Sequence, residues 1–242
     1  MITIRKDERK LGKQSFSTRL TKLLVVCGVT FLFAERDAFA QNSGDGKFHA
    51  LVIGINDYDD PDIPDLSTAT ADATQVAKVL EELYGFNVKL LLDGEATKAG
   101  IWTEIKELRK RSLGEDSSLI YFAGHGKIKL LDSYWLPSDA KDDSEENAEM
   151  DWIPHSFVKQ NLTLFQNKHV LVVADACFSG ALITRSIGVF DTGQKNWIDK
   201  VGSRKSRWVL TSGEIETVAD QTKLSTEHSV FAHFFLDYLK SF

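Results

Sequence analysis

The chain alternates short runs of aliphatic and β-branched residues with stretches of helical periodicity. A chain that repeats strand and helix in this way covers both faces of a parallel sheet with helices, so the pattern predicts an α/β fold. Helices are predicted to begin near Ser67 and after Thr97, to cover 153–165, and to form the C-terminal end. The runs predicted as strands are 48–55, 87–92, 118–123, 168–175 and 207–211.

Several residues mark where the predicted helices begin and end. Thr97 is a residue type that caps helix N-termini through its hydroxyl, and Gly85 and Gly114 can adopt the left-handed conformation that closes a helix. The last helix is predicted to turn one aromatic face inward, made of Phe231, Phe234, Phe235 and Tyr238.

The first 40 residues have the order of a secretory signal. A basic start leads into the apolar run 23–34, and the small residues Ala38 and Ala40 stand three and one positions before Gln41. An uncleaved anchor is disfavoured because the run is short for a bilayer, and a buried strand is disfavoured by the basic flank. We predict a secreted or periplasmic protein divided into a signal peptide (1–40), a polar linker (41–47) and one domain (48–242).

Removal of that signal would leave Cys177 as the only cysteine. A single cysteine cannot form an internal disulfide, so it is either a buried apolar residue or a reactive thiol. The net charge of −6 becomes more negative without the basic start, which argues against nucleic acid as a partner and against a membrane partner once the signal is removed.

Two predicted strands end in residues that can carry chemistry. Gly124-His125-Gly126 follows one buried strand, and Asp175-Ala176-Cys177 ends another. Because ligands bind outside the carboxyl ends of strands in open α/β sheets, adjacent strands would bring both side chains to one crevice. An imidazole beside a thiol raises its thiolate fraction, and the backbone N–H groups of Gly126 and Cys177 could stabilise an oxyanion.

Three stretches carry a resemblance to a known family. Ala-Leu-Val-Ile-Gly-Ile-Asn at 50–56, Tyr-Phe-Ala-Gly-His-Gly at 121–126 and Asp-Ala-Cys-Phe-Ser-Gly at 175–180 are similar to the opening strand, the His motif and the Cys motif of the caspase and metacaspase superfamily. The cysteine follows the histidine by about 50 residues, as in caspases.

The resemblance implies a fold and an activity. The implied fold is the three-layer α/β/α caspase–hemoglobinase fold with a mostly parallel sheet. The implied activity is that of a cysteine endopeptidase, with Cys177 as nucleophile and His125 as general acid and base. Two alternatives are a catalytically silent caspase-like binding module and a different thiol hydrolase on a similar sheet.

The resemblance also implies a substrate class. Asp72 and Asp175 match the acidic pocket residues with which metacaspases cleave proteins or peptides after Arg or Lys, and Ser212 lies in the segment that completes that pocket. The alternative is that Asp72 favours a helix dipole, that Asp175 is a hydrogen bonder at a strand end and that the segment around Ser212 is a polar turn.

The acidic segment 138–151 is predicted to be a solvated loop. It could hold the Ca²⁺ that metacaspases often require, but it lacks the ligand pattern of a defined calcium loop. We therefore expect no required cofactor, with Ca²⁺ as an open possibility. The remaining histidines lack metal-ligand spacing and are interpreted as ordinary: His49, His155, His169, His228 and His233.

The connection 181–206 is long, rich in glycine and serine, and basic. If the pocket prefers basic side chains, the loop is a candidate for self-cleavage, as in a zymogen, and family members are commonly processed here. The alternative is a soluble connector. The candidate sites are Arg185, Lys195, Lys200, Arg204 and Lys205.

Overall fold

The computed structural model describes residues 46–129, 132–177, 204–212 and 227–241. The predicted signal peptide, residues 41–45 of the predicted linker and 181–203 of the long connection lie outside the described residues and stay predictions. In chain order the elements are β1 (Phe48–Gly54), α1 (Ala69–Tyr84), β2 (Asn87–Leu92), α2 (Lys98–Arg111), β3 (Ser117–Ala123), β4 (Gly126–Lys129), β5 (Asp132–Trp135), β6 (Ile153–Pro154), α3 (His155–Leu164), β7 (His169–Asp175), β8 (Ser206–Thr211) and α4 (Val230–Lys240).

The central sheet is parallel throughout and has the strand order β2-β1-β3-β7-β8. Strands β3 and β7 are buried along their whole length because they are apolar on both faces. The carboxyl ends of the three central strands are level, since Ala123 pairs with Gly54 on one side and with Asp175 on the other. The prediction of a mostly parallel α/β sheet is confirmed.

Helices cover both faces of this sheet, as the three-layer prediction requires. On one face α1 and α4 pack against alternate strand residues such as Leu119 and Val173. On the other face α2 and α3 pack against the intervening residues such as Ile120 and Val172. Among the described residues, no helix has the length and apolarity needed to cross a membrane.

Most predicted helix ends are observed. The Thr97 hydroxyl accepts a hydrogen bond from the Gly100 N–H at 3.1 Å, and Gly85 closes α1 with φ 69°. Helix α2 ends at Arg111, before the predicted Gly114. The prediction of one helix over 153–165 is wrong at its start, because Ile153–Pro154 is a strand. A residue before proline avoids the helical region, which favours that extended start.

The predicted inner face of α4 is wrong in one residue. Phe234 is 44% exposed, whereas Phe235 is buried. The helix turns Ala232, Phe235, Leu236 and Leu239 towards α1 and the sheet. At about 100° per residue, Phe234 lies about 100° from Phe235 and about 200° from Leu236, which places it outside that face.

A second sheet was not predicted. Strands β4, β5 and β6 form a three-stranded antiparallel sheet that begins directly after His125. The acidic segment follows β5 and is exposed over 143–147, as predicted, but Ala140 and Ala148 on either side are buried and anchor it.

Candidate active site

The carboxyl ends of β3 and β7 bring His125 and Cys177 to one edge of the sheet. Ala123 and Asp175 are paired in register, and each candidate residue stands two positions beyond its strand's member of that pair. The Gly124 N–H donates to the Asp175 carbonyl at 3.3 Å, so the two chains remain joined past the strands. This arrangement agrees with the crevice expected from the sequence.

Gly126 fits against the backbone of Cys177. A Cβ atom added at Gly126 would lie 2.1 Å from the Cys177 carbonyl oxygen, which no side chain can tolerate. The glycine is therefore required by the close approach of these two segments. The backbone segments that carry the two predicted oxyanion donors are therefore neighbours, and the role of their N–H groups stays a prediction.

Two residues of the loop after β1 orient His125. The His125 backbone N–H donates to the Tyr58 hydroxyl at 2.8 Å, and the two rings lie 5.1 Å apart. The Nε2 atom of His125 lies 2.7 Å from the Pro64 carbonyl oxygen. Because a carbonyl only accepts, Nε2 carries a proton, and the basic nitrogen of the neutral ring is Nδ1.

This loop is itself held in place. Asp65 Oδ1 accepts from the Tyr58 N–H at 3.3 Å, and the Leu66 N–H donates to the Asn56 carbonyl at 2.9 Å. Burial raises the pKa of the Tyr58 phenol, so its hydroxyl remains neutral. Tyr58 and Pro64 are not predicted as site residues from the sequence. The rule that sites form at strand carboxyl ends applies to β1 as well and points to this loop.

The predicted acidic pair, Asp72 on α1 and Asp175 at the end of β7, meets at Ser229 before α4. Asp72 Oδ2 accepts from the Ser229 N–H at 3.1 Å, and Asp175 Oδ2 accepts from the Ser229 hydroxyl at 2.5 Å. The remaining Asp72 oxygen, Oδ1, lies 2.6 Å from His228 Nδ1. The structure thus brings the two carboxylates together through a third residue.

Burial and hydrogen bonding shift the pKa of Asp72 in opposite directions. Burial raises the pKa of Asp72, and the hydrogen bonds from Ser229 and His228 oppose that rise by stabilising the carboxylate. The interpretation of His228 as an ordinary histidine missed this contact, for which the sequence offers no local signal.

The other four histidines make different contacts. Burial lowers the pKa of His155 to about 3 and that of His169 to about 4, so both rings are neutral at physiological pH. Their neighbours are Asp116 for His49, Trp135 for His155, Ser206 for His169 and Asp237 for His233.

Ser212 lies at the end of β8, beside the strand that carries Asp175. Its N–H donates to the Ala174 carbonyl at 3.0 Å, and its buried hydroxyl has no hydrogen-bond partner among the described residues. Its predicted part in substrate binding remains a prediction, and the rest of its segment, 213–226, lies outside the described residues.

The acids of segment 138–151 pair with lysines of β4. Lys127 lies 2.9 Å from Asp142 and lowers the pKa of that carboxyl, while Lys129 bridges Asp143 and Glu149 at 2.9 and 2.8 Å. Within the described residues, no group of three acids, histidines or cysteines is arranged to hold a metal ion. A role for Ca²⁺ stays a prediction.

Comparisons with known proteins bear on the family. A caspase domain model matches residues 47–241, and no curated protein matches the chain. Similar solved structures include a Geobacter sulfurreducens protein (27% identity, 55% of this chain and 52% of that chain, TM-score 0.45). They also include the Drosophila initiator caspase Dronc (12% identity, 52% of this chain and 47% of that chain, TM-score 0.41). The chain therefore spans about half the length of these solved chains.

The family model covers most of the chain and includes both strand-end motifs. The resemblance seen in the sequence is thereby confirmed at the level of the family. The chain belongs to the caspase domain family, whose members are cysteine peptidases that act on protein substrates.

Proposed function

We propose that the protein is a cysteine endopeptidase in which Cys177 is the nucleophile and His125 is the general acid and base. One observation carries the proposal. The residues two positions before Cys177 and His125 are paired in register on neighbouring strands, so both residues follow the same edge of the sheet. A thiol next to an imidazole at the open edge of a sheet is the arrangement that nucleophilic catalysis needs.

The hydrogen bonds of His125 support a specific proton path. Nδ1 takes the thiol proton, and the Pro64 carbonyl accepts from Nε2–H and so favours the imidazolium that forms. The thiolate attacks the peptide carbonyl, and the N–H groups of Gly126 and Cys177 stabilise the oxyanion. The imidazolium then protonates the departing amine, and Nδ1 removes a proton from the water that hydrolyses the thioester.

We further propose cleavage after Arg or Lys. Asp175 is two residues before the nucleophile, and Ser229 joins it to Asp72. Two carboxylates in a mostly buried place need a cation nearby, and a basic substrate side chain can supply it. The chain itself supplies the nucleophile, the base and the proton donor, so we expect that the chemistry requires no cofactor. We also propose that the enzyme acts after export.

The test is the hydrolysis of Arg-, Lys- and Asp-aminomethylcoumarin peptides by the full chain and by the chain beginning at Gln41, with and without Ca²⁺. We expect cleavage of the first two peptides, none of the third, and none at all by Cys177→Ala. Iodoacetamide should label Cys177 faster than a free thiol, and His125→Ala should slow that labelling.

Different results would point elsewhere. Cleavage by Cys177→Ala would refute the mechanism. A folded chain with an inert thiol and no hydrolysis would favour the silent binding module. Cleavage after Asp equal to that after Arg would refute the acidic pocket.

A further inference from the structure

The acidic pair already has a hydrogen-bonding side-chain partner within the chain, His228. The His228 ring lies against Asp72, with Nδ1 at 2.6 Å from Oδ1, and the Asp72 side chain is only 1% exposed while that of His228 is 21% exposed. A carboxylate oxygen only accepts, so His228 Nδ1 carries the proton of this bond. A buried acid is thus covered by a ring whose outer part faces solvent.

The segment that carries His228 is tied to the same two acids. Ser229 caps α4, since its hydroxyl accepts from the Ala232 N–H at 3.0 Å, and it donates to Asp175. Beneath this cluster the hydroxyl of Tyr121, which is fully buried, has no hydrogen-bond partner among the described residues. The charges of Asp175 and Asp72 act on that phenol and add to burial in raising its pKa. The cluster therefore forms a buried polar site whose exposed side is His228.

We infer that His228 occupies the position beside Asp72 at which the substrate's basic side chain binds, and that the guanidinium or ammonium group of the substrate displaces it. This inference rests on the proposed function, because it concerns the same acidic site. His228 then determines specificity in two ways. Every substrate competes with the imidazole, and a neutral apolar side chain cannot replace it without leaving the buried Asp72 Oδ1 atom without the donor that His228 supplies.

The kinetic test compares full-length wild type with His228→Ala, His228→Gln and His233→Ala on an Arg-aminomethylcoumarin peptide. If His228 covers Asp72 in about nine of ten molecules, its removal should lower KM about tenfold with kcat changed less than about twofold. His228→Gln keeps a hydrogen-bond donor but loses the imidazole ring, so its KM should lie in between. His233 lies on α4, the helix that follows His228, beside Asp237, and its replacement should leave KM unchanged.

The second test needs no activity. The unfolding temperature of full-length chains that carry the inactivating substitution Cys177→Ala is measured with and without methylguanidinium. Without His228, Asp72 Oδ1 loses its hydrogen-bond donor and is open to an added cation. Methylguanidinium should therefore raise the unfolding temperature of the double variant His228→Ala/Cys177→Ala more than that of Cys177→Ala alone. Substitution of Asp72 by Asn should abolish the difference.

The outcomes separate the two proposals. Active enzymes with equal KM in wild type, His228→Ala and His228→Gln would overturn the inference and leave the proposed function standing. If no variant cleaves any peptide, the proposed function fails, and the methylguanidinium comparison still decides whether His228 covers a cation site. An equal thermal shift with and without His228 would overturn the inference.

Discussion

The close approach of Gly126 to Cys177 makes a quantitative prediction. A methyl group at position 126 would lie 2.1 Å from the Cys177 carbonyl oxygen and 3.4 Å from the Tyr134 carbonyl oxygen. The first contact has to lengthen by roughly 1.3 Å to reach the ordinary van der Waals distance of 3.4 Å, and both oxygen atoms belong to backbone that cannot rotate away. Gly126→Ala must therefore move Cys177 relative to His125.

The expected effects follow from that displacement. A shift of about 1 Å in a reacting group costs about 10²-fold in rate, so kcat/KM for an Arg peptide should fall by about that factor. The overpacking should also lower the free energy of unfolding by about 1–3 kcal/mol. Gly126→Ala keeps the backbone N–H of residue 126, so a loss of kcat/KM would come from the displacement of Cys177 and not from a missing oxyanion donor.

The control is Gly94→Ala, because a Cβ atom at Gly94 meets nothing within 4 Å. Both variants are measured for kcat/KM, for iodoacetamide labelling of Cys177 and for thermal unfolding. If Gly126→Ala keeps kcat/KM within about twofold of Gly94→Ala, the Cys177 backbone is not held against Gly126, and the geometry argued for the site is wrong.

Further predictions concern charge, stability and processing. Replacing Asp72 or Asp175 by Asn should lower kcat/KM for Arg and Lys peptides by a factor that corresponds to ~1.5–3 kcal/mol of transition-state stabilisation. The rate of iodoacetamide labelling of Cys177 should stay unchanged. Arg207 donates to five backbone carbonyls, so Arg207→Lys should cost about 2–4 kcal/mol in the free energy of unfolding by denaturant titration; a loss below 0.5 kcal/mol would contradict those bonds. Incubation followed by N-terminal sequencing should find Cys177-dependent cuts in 181–206, and a fully active, intact chain would show that the loop is only a connector.

The three central parallel strands, β1, β3 and β7, are predictable because they are buried on both faces. Strand β2 begins and ends where the sequence predicts, and β3, β7 and β8 differ from prediction by one residue at the start. A run that must be buried on both sides cannot slide without exposing apolar side chains or burying polar ones. The same burial makes the carboxyl ends of β3 and β7 predictable, and with them the placement of His125 and Cys177 at one edge of the sheet.

The contacts that complete the site have no local signal. Strands β4 and β5 are short and mix lysine and aspartate with apolar residues, and β5 pairs with the distant Ile153–Pro154. Pro64 acts through its backbone carbonyl, which every residue possesses. His228 reaches Asp72 across 156 positions, and nothing in the residues around it indicates that partner.

The sequence and the structure point to different charge partners for Asp72 and Asp175. In the sequence, two carboxylates near a nucleophile require a cation, and the substrate is the natural source. In the structure, His228, the Ser229 N–H and hydroxyl, and the positive end of the α4 dipole already stabilise that charge. The same carboxylates therefore attach α4 to the sheet, and replacing Asp72 should weaken that attachment and substrate binding together. Replacing His228 leaves both bonds to Ser229 in place, so it separates the two roles: α4 stays attached while the site opens to an external cation.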